Sequence, residues 1–301
     1  GGAAMRRVLA RFGAPQAILA APVAELLAVR GVGPAMARAI RQASPGMAEA
    51  LERTLAGQGI RALIWQDAEY PFNLLTLRDP PPLLFARGAL RDDDQIAAAI
   101  VGTRRPSGRA REAAERIAGE LAGRGIVVVS GLALGVDAAA HRAALDAGGR
   151  TLAVLGAGLR RIHPRTNLDL AGRVAAAGAL LSELHPDAAP KPAQLVARDR
   201  LISGLARGVI VVESDQAGGS MRTAAFARRQ GRPLWALPGS PGADLLLAEG
   251  AAPLRLEGMD WDGLADRIRS TELWPERRPP EPAQLRLILE RRAEYRRLLS
   301  G

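Results

Sequence analysis

The sequence predicts an α/β protein, a doubly wound parallel sheet preceded by a small all-α domain. Three observations carry this. Six short apolar runs, at residues 97–101, 126–129, 151–155, 179–181, 209–212 and 234–237, are separated by stretches long enough to hold a helix. Each run is continuous rather than alternating, as strands buried on both faces are. The stretches between them, such as 110–122 and 138–147, are rich in alanine and favour helix.

Residues 4–55 read as short helices without strands. Within them Gly31 and Gly33 permit a tight turn and Pro34 suits the first position of a helix, the form of a helix-hairpin-helix (SAM-like) unit. Such a hairpin either offers N–H groups to a phosphate or simply packs, and the sequence leaves both open. From Gly59 the pattern changes. Arg61-Ala62-Leu63-Ile64-Trp65 is strand-like, and Tyr70-Pro71 with Asp79-Pro80-Pro81-Pro82-Leu83-Leu84-Phe85 marks a turn-rich lead-in to the sheet. The reading is a helical domain at 1–57, the sheet domain at 58–274, and a tail at 275–301. That tail opens as a Pro-rich linker and continues as a basic amphipathic helix with Leu285, Ile288, Leu289, Tyr295, Leu298 and Leu299 on one stripe.

Charge narrows the partners. The 301 residues carry a formal net charge of +10, and Lys191 is the only lysine. An excess of arginine suits phosphate recognition, because the planar guanidinium bonds two oxygens at once. Aromatic residues make up only 3% of the chain, so nucleic-acid binding would rest on phosphate contacts more than on base stacking. There is no cysteine, which removes disulfides and thiolate metal sites. No apolar run is long enough to span a bilayer, and Gly1-Gly2-Ala3-Ala4-Met5 lacks a signal layout. A cytoplasmic protein without a membrane partner is expected.

Ligands of an open parallel sheet bind beyond the C-terminal ends of its strands. Three of those ends carry small and polar residues: Gly102-Thr103-Arg104-Arg105-Pro106-Ser107-Gly108, Ser130-Gly131-Leu132-Ala133-Leu134-Gly135, and Gly156-Ala157-Gly158. Glycines let N–H groups approach an anion, so three such loops in register suggest a phosphate-lined crevice on which Arg104 and Arg105 can close. Several enzyme classes fit poorly. No Gly-x4-Gly-Lys-Ser/Thr is present, and Arg161 stands where a dinucleotide fingerprint needs its third glycine, although Glu183 follows a strand downstream. His141, His163 and His185 are scattered and imply no metal site. Gly218-Gly219-Ser220-Met221-Arg222 misses the nucleophile elbow at its last residue, and Asp92-Asp93-Asp94 reads as a solvated turn. No cofactor is expected.

The order of short motifs resembles the DNA-processing protein A (DprA/Smf) family. It runs from Tyr70-Pro71 and Pro82-x-Leu84-Phe85-x-x-Gly88 through Val101-Gly102-Thr103-Arg104 to Ser130-Gly131-Leu132-Ala133-x-Gly135-x-Asp137-x-x-x-His141. It continues with Gly156-x-Gly158-Leu159, Pro164-x-x-Asn167, Leu181-Ser182-Glu183, Arg198-x-Arg200-x-Ile202-x-Gly204-Leu205, Gly219-Ser220-x-x-Thr223-Ala224 and Pro238-Gly239-Ser240. The run covers roughly residues 70–250, too many matches in one order for chance.

The resemblance implies a Rossmann-like core, binding of incoming single-stranded DNA in natural transformation, loading of the recombinase RecA, and no catalytic step. By position, Arg104 and Arg165 resemble the family's DNA contacts, and Ser130, Gly131 and Gly156 its phosphate cradle. Gly102, Thr103, Arg105, Ala133, Gly158, Arg161 and Asn167 fall in the same motifs. Arg198 and Arg200 either add positive potential or hold the core together, while Asp137 and His141 suit structural roles. Asp244-Leu245-Leu246-Leu247-Ala248 resembles a self-association and RecA-contact region, which implies a homodimer. The sequence departs from the family at His163, where tyrosine is usual, and at Asp199, where asparagine is usual. Too few residues follow Leu273 for the winged-helix domain that many members carry. A second class stays open, a phosphoribohydrolase-like nucleotide-processing enzyme, although Ala217-Gly218-Gly219-Ser220-Met221-Arg222-Thr223 lacks that group's closely following carboxylate.

Overall fold

A computed structural model of the protein describes residues 2–273; the amphipathic stretch expected after the Pro-rich linker lies outside the described residues. The chain begins with five helices, α1 (Gly2–Phe12), α2 (Pro15–Ala20), α3 (Val23–Leu27), α4 (Pro34–Gln42) and α5 (Pro45–Ala56). Val8, Ile18, Leu26, Val29, Val32 and Ile40 form a small core of their own. The hairpin between α3 and α4 takes the expected turn, with Gly31 at φ +90° and Pro34 opening α4. Leu55 of α5 instead packs with Ile60 and Phe85 of the larger domain, so the last helix belongs with the sheet.

The remainder runs β1 (Ile60–Ile64), α6 (Phe72–Leu75), β2 (Leu83–Gly88), β3 (Ala97–Val101), α7 (Gly108–Gly123), β4 (Val127–Ser130), α8 (Val136–Asp146) and β5 (Thr151–Val154). It continues with α9 (Leu168–Ala177), β6 (Ala179–Ser182), α10 (Pro192–Leu205), β7 (Gly208–Val211), α11 (Gly219–Arg229), β8 (Leu234–Ala236), α12 (Pro241–Ala248), β9 (Ala252–Pro253) and α13 (Trp261–Ser270). The strands form one sheet in the order β1-β2-β6-β5-β4-β3-β7-β8-β9. All neighbours from β6 to β9 are parallel, for example Ala98 opposite Val128 on one side and Gly208 on the other. The expectation of a purely parallel sheet needs one correction. The segment read as a turn-rich lead-in contains β2, which pairs antiparallel with both β1 and β6.

Side chains alternate across the parallel strands, as the two-residue period of a strand requires. Ala97, Ala99, Val101, Val209 and Val211 face the side covered by α6, α10, α11 and α12. Ala98, Ile100, Val128, Ile210 and Trp235 face the side covered by α7, α8 and α13. Both faces are dry, which is why the strands read as unbroken apolar runs.

This winding fixes where a ligand can go. The chain leaves β3 for α7 on one face, whereas it leaves the adjacent β7 for α11 on the other. Connections that diverge from neighbouring strands open a crevice beyond their C-terminal ends.

Candidate functional site

At that switch point lies a cleft of about 970 Å³. Gly102, Thr103, Arg104, Arg105 and Ser107 line it after β3; Glu213, Ser214, Gly218, Gly219 and Ser220 line it after β7; Gly239 and Ser240 line it after β8. Three helices, α7, α11 and α12, begin at its wall, so their N-terminal dipoles favour negative charge there. Ser107 caps α7 by accepting from the Ala110 N–H at 3.1 Å, and its hydroxyl donates to the Glu213 carboxylate at 2.6 Å. Opposite, Ser240 Oγ accepts from the Ser214 N–H at 3.1 Å. Arg104, Arg105 and Arg222 line the cleft with their side chains exposed. A recess of about 60 Å³ adjoins it, lined by Leu134, Gly156, His163 and Pro164 and sharing Arg104 and Ala133 with the cleft.

The segment 131–135 stands between the two and is held by side chains from three directions. Asp137 of α8 accepts from the N–H groups of Gly131 at 3.1 Å and Ala133 at 3.3 Å. Asn167 donates Nδ2 to the carbonyls of Leu132 at 2.9 Å and Ala133 at 3.2 Å. Arg198 of α10 donates Nη1 to the carbonyls of Gly131 and Val154, both at 2.6 Å. The clamp holds buried Leu132 at φ +57°, a conformation costly for a side chain of that size. Leu134 is left 45% exposed at the tip.

Electrostatics inside the clamp are strained by burial. Asp137, Arg198 and Asp199 are all nearly inaccessible, and Arg198 Nε lies 3.3 Å from Asp199 Oδ1. Burial lowers the Arg198 guanidinium and raises the carboxyls of Asp137 and Asp199, the last to about 6, with the mutual attraction opposing each shift only in part. Asp199 also lines the cleft, where its charge opposes an incoming anion. Anion affinity is therefore expected to rise several-fold as pH falls from about 7.5 to 5, where Asp199 takes up a proton. Fluorescence anisotropy with a phosphate polymer checks this: Asp199→Asn should flatten the profile at its high-affinity end, and an unchanged profile would remove Asp199 from the cause.

A family model described as DNA recombination-mediator protein A matches residues 61–258. The chain belongs to that family. It is 41% identical over 196 residues to the DNA processing protein DprA of Bacillus subtilis, covering 63% of this chain and 65% of the relative. It spans about half to two thirds of the length of the curated relatives it matches. Among solved structures, DNA processing protein A of Streptococcus pneumoniae superposes with a TM-score of 0.72 at 31% identity, over 84% of this chain and 90% of that one. DNA processing protein A of Helicobacter pylori, described for its single-stranded DNA binding mode, gives 0.60 at 31% identity over 70% and 95%.

Against this DNA recombination-mediator protein A framework the residues singled out from sequence divide into three groups. Gly102, Thr103, Arg104, Arg105 and Ala133 line the cleft, and Arg161 and Arg165 are exposed on the β5–α9 connection on either side of His163. A second group supports the loops from inside. Ser130 is fully buried with its hydroxyl on the Ile100 carbonyl at 2.7 Å, and Asn167 and Arg198 belong to the clamp. The third group lies elsewhere. Arg200 bonds Glu183 and sits 3.3 Å from Asp79, away from the cleft.

The glycines need a correction. A Cβ at Gly131 would fall 1.9 Å from Arg198 Nη1, one at Gly156 2.7 Å from Leu195 Cα, and one at Gly158 2.1 Å from the Pro186 carbonyl oxygen. They are small so that protein packs against them. The N–H of Gly131 is held by Asp137 and that of Gly158 by the Ala188 carbonyl, so neither is free to cradle a phosphate. His141 is also internal. Thr151 Oγ1 donates to the Val128 carbonyl, so His141 Nδ1, 2.7 Å away, is the donor to that oxygen. Burial drops its pKa to about 3 and keeps the ring neutral.

Glu213, Ser214, Arg222 and Ser240 were not among the sequence-derived site residues, yet they belong to the wall that the β7 and β8 ends give the cleft. The signal was available in the motifs Gly219-Ser220 and Pro238-Gly239-Ser240, which follow β7 and β8. On α12, Leu246 is buried in the sheet core and Leu247 packs against it. The three leucines are therefore no exposed patch; Asp244 and Ala248 are exposed and Leu245 half-buried. Asp244 itself accepts from the Gly239 N–H at 2.9 Å and fixes the β8–α12 turn. Among the described residues no helix is long and apolar enough to cross a membrane, and no three His, Asp or Glu side chains converge as a metal site.

Proposed function

We propose that the protein binds single-stranded DNA across the switch-point cleft and its adjoining recess in the cytoplasm, and hands the strand to a RecA-type recombinase without breaking a bond. The observation that carries this reading is the row of exposed Arg104, Arg105 and Arg222 over a cleft that three helix N-termini enter. Family membership and the described binding mode of the Helicobacter pylori protein support it. Arg161 and Arg165 extend the positive edge, and Leu134 and His163 offer apolar or planar surface to bases where few aromatics exist. The acid–base candidates are otherwise engaged: Glu213 accepts from Ser107, Arg200 neutralises Glu183, Asp199 in the cleft wall is ion-paired with buried Arg198, and His141 is sealed in the core.

Binding is expected to weaken linearly in log–log plots against salt, with a slope of about −0.7 per phosphate contacted. A titration of oligo-dT by anisotropy at several salt concentrations measures it, and a flat salt response would exclude the phosphate-led mode. Incubation with nucleoside monophosphates tests the enzymatic alternative, since base release tracking the protein through purification would replace the binding reading.

Recombinase delivery works by raising local concentration, which needs no catalysis. We place the contact and the self-association surface on the outer side of α12 at Asp244, Leu245 and Ala248. Leu245→Arg and Ala248→Arg then spare the core residue Leu246. They should slow RecA nucleation on DNA coated with single-strand-binding protein while DNA affinity is kept, and sedimentation of the same variants reports dimer loss.

A further inference from the structure

The first four helices carry a charge pattern that the rest of the chain does not match. Residues 1–44 hold six arginines and one glutamate, a net +5 that is half of the chain's +10 in about a seventh of its length. Arg6 is spent on the sheet domain, where its Nη1 donates to the Pro80 carbonyl at 3.0 Å. Arg7, Arg11, Arg30, Arg38 and Arg41 are exposed. None of the five meets a carboxylate among the described residues, Glu25 of α3 included, whereas exposed arginines of the sheet domain such as Arg173, Arg228 and Arg269 each do. Part of this charge gathers at the turn between α3 and α4. Arg7 Nη1 donates to the Arg30 carbonyl at 2.9 Å, and a Cβ at Gly31 would lie 3.2 Å from that nitrogen. Arg11 follows Arg7 by one turn of α1, and Arg38 follows Pro34 by one turn of α4.

The turn itself is open to a ligand. α4 starts at Gly33 without a side-chain cap and Pro34 has no N–H, so the N–H groups of Ala35 and Met36 bond nothing among the described residues. Gly33 has φ −97°, a conformation any residue adopts, and a Cβ there would meet no atom within 4 Å. Neither backbone nor packing calls for a glycine at that place, in contrast to Gly131, Gly156 and Gly158. What a side chain would obstruct is the approach of an outside group to the start of α4. Bases find little here: Phe12 is the one aromatic of residues 1–44, and it packs against the small core with Arg11 over its ring at 5.7 Å. Guanidinium groups free of carboxylates and without stacking partners read phosphates alone, and a duplex offers most of them, one negative charge per about 1.7 Å of axis. We propose that the α3–α4 hairpin, with Arg7, Arg11, Arg30 and Arg38 around it, binds the backbone of double-stranded DNA independently of sequence. The site is on a different domain from the cleft and does not rest on what the cleft binds, so loss of either is measured without the other.

Fluorescence anisotropy of the full chain with a labelled blunt duplex of mixed sequence, and separately with labelled oligo-dT, at several salt concentrations tests this. Arg30→Ala with Arg38→Ala should weaken duplex binding at least about tenfold while oligo-dT binding stays within about twofold. The salt slope for the duplex should become shallower by about 1.8, two contacts at 0.9 each. Arg104→Ala with Arg222→Ala should show the reverse selectivity. Aspartate caps a helix better than glycine, so Gly33→Asp should hold or raise the melting temperature while its carboxylate weakens duplex binding several-fold. Gly33→Asn, close in shape and uncharged, should weaken it less. Should the arginine variant fail to fold, Gly33→Asp still decides. Duplex affinity unchanged in both variants, or duplex and oligo-dT weakened by the same factor, would overturn the proposal. Competition by poly-glutamate as strong as that by unlabelled duplex would also overturn it, assigning the surface to an acidic protein partner.

Discussion

Replacing Arg198 with leucine is expected to destabilise the fold by about 3–5 kcal/mol, the range for removing one partner of a buried charge cluster. The loss has two sources. The carbonyls of Gly131 and Val154 lose a charged donor, and Asp137 and Asp199 are left buried without the cation that offsets them. Arg198→Lys should recover only part, since a single ammonium cannot both bond the two carbonyls that Nη1 serves and keep the separate Nε contact to Asp199. Urea denaturation measures both; an unfolding free energy within about 1 kcal/mol of wild type would mean that the 131–135 segment holds itself. DNA binding should fall along with stability, which separates this residue from the exposed arginines.

For those, the double variant Arg104→Ala with Arg222→Ala should keep the wild-type circular dichroism and melting temperature, because both side chains are exposed. Each loses a charge-assisted contact of about 1–3 kcal/mol. Together they should raise the dissociation constant for oligo-dT at least about thirtyfold, at 1.4 kcal/mol per tenfold. The salt slope should become shallower by about 1.4, two contacts at 0.7 each. Unchanged affinity would move the strand to the Arg161 and Arg165 side, where Arg165→Ala becomes the informative variant.

The parts of this fold that were legible from sequence are those in which local pattern and burial agree. The six central strands announced themselves because both faces are apolar, and the glycine-rich turns after β3, β4 and β5 marked the ligand edge. β2 escaped because Pro80-Pro81-Pro82 precedes it and reads as a turn; the pairing with β1 and β6 reveals the strand. The purpose of Gly131, Gly156 and Gly158 was hidden for a different reason. A missing Cβ looks the same in sequence whether the space is taken by a phosphate or by Arg198, Leu195 and Pro186. Likewise Leu246 and Leu247 read as a patch until α12 is seen to turn them toward the sheet. The cleft's second half needed the strand order, since only the adjacency of β3 and β7 brings Glu213 opposite Ser107.

The clamp on residues 131–135 bears on how the strand is received. Its ties come from α8, from the turn before α9 and from α10, so the loop acquires its shape only when the sheet closes. A loop fixed in this way enters an encounter already in its final shape, and little backbone entropy is left to lose. Association should then proceed with near-single-step kinetics and a small heat-capacity change, unlike segments that order as they bind. If the proposed DNA reading holds, a stiff receiving surface leaves the strand as the part that adapts.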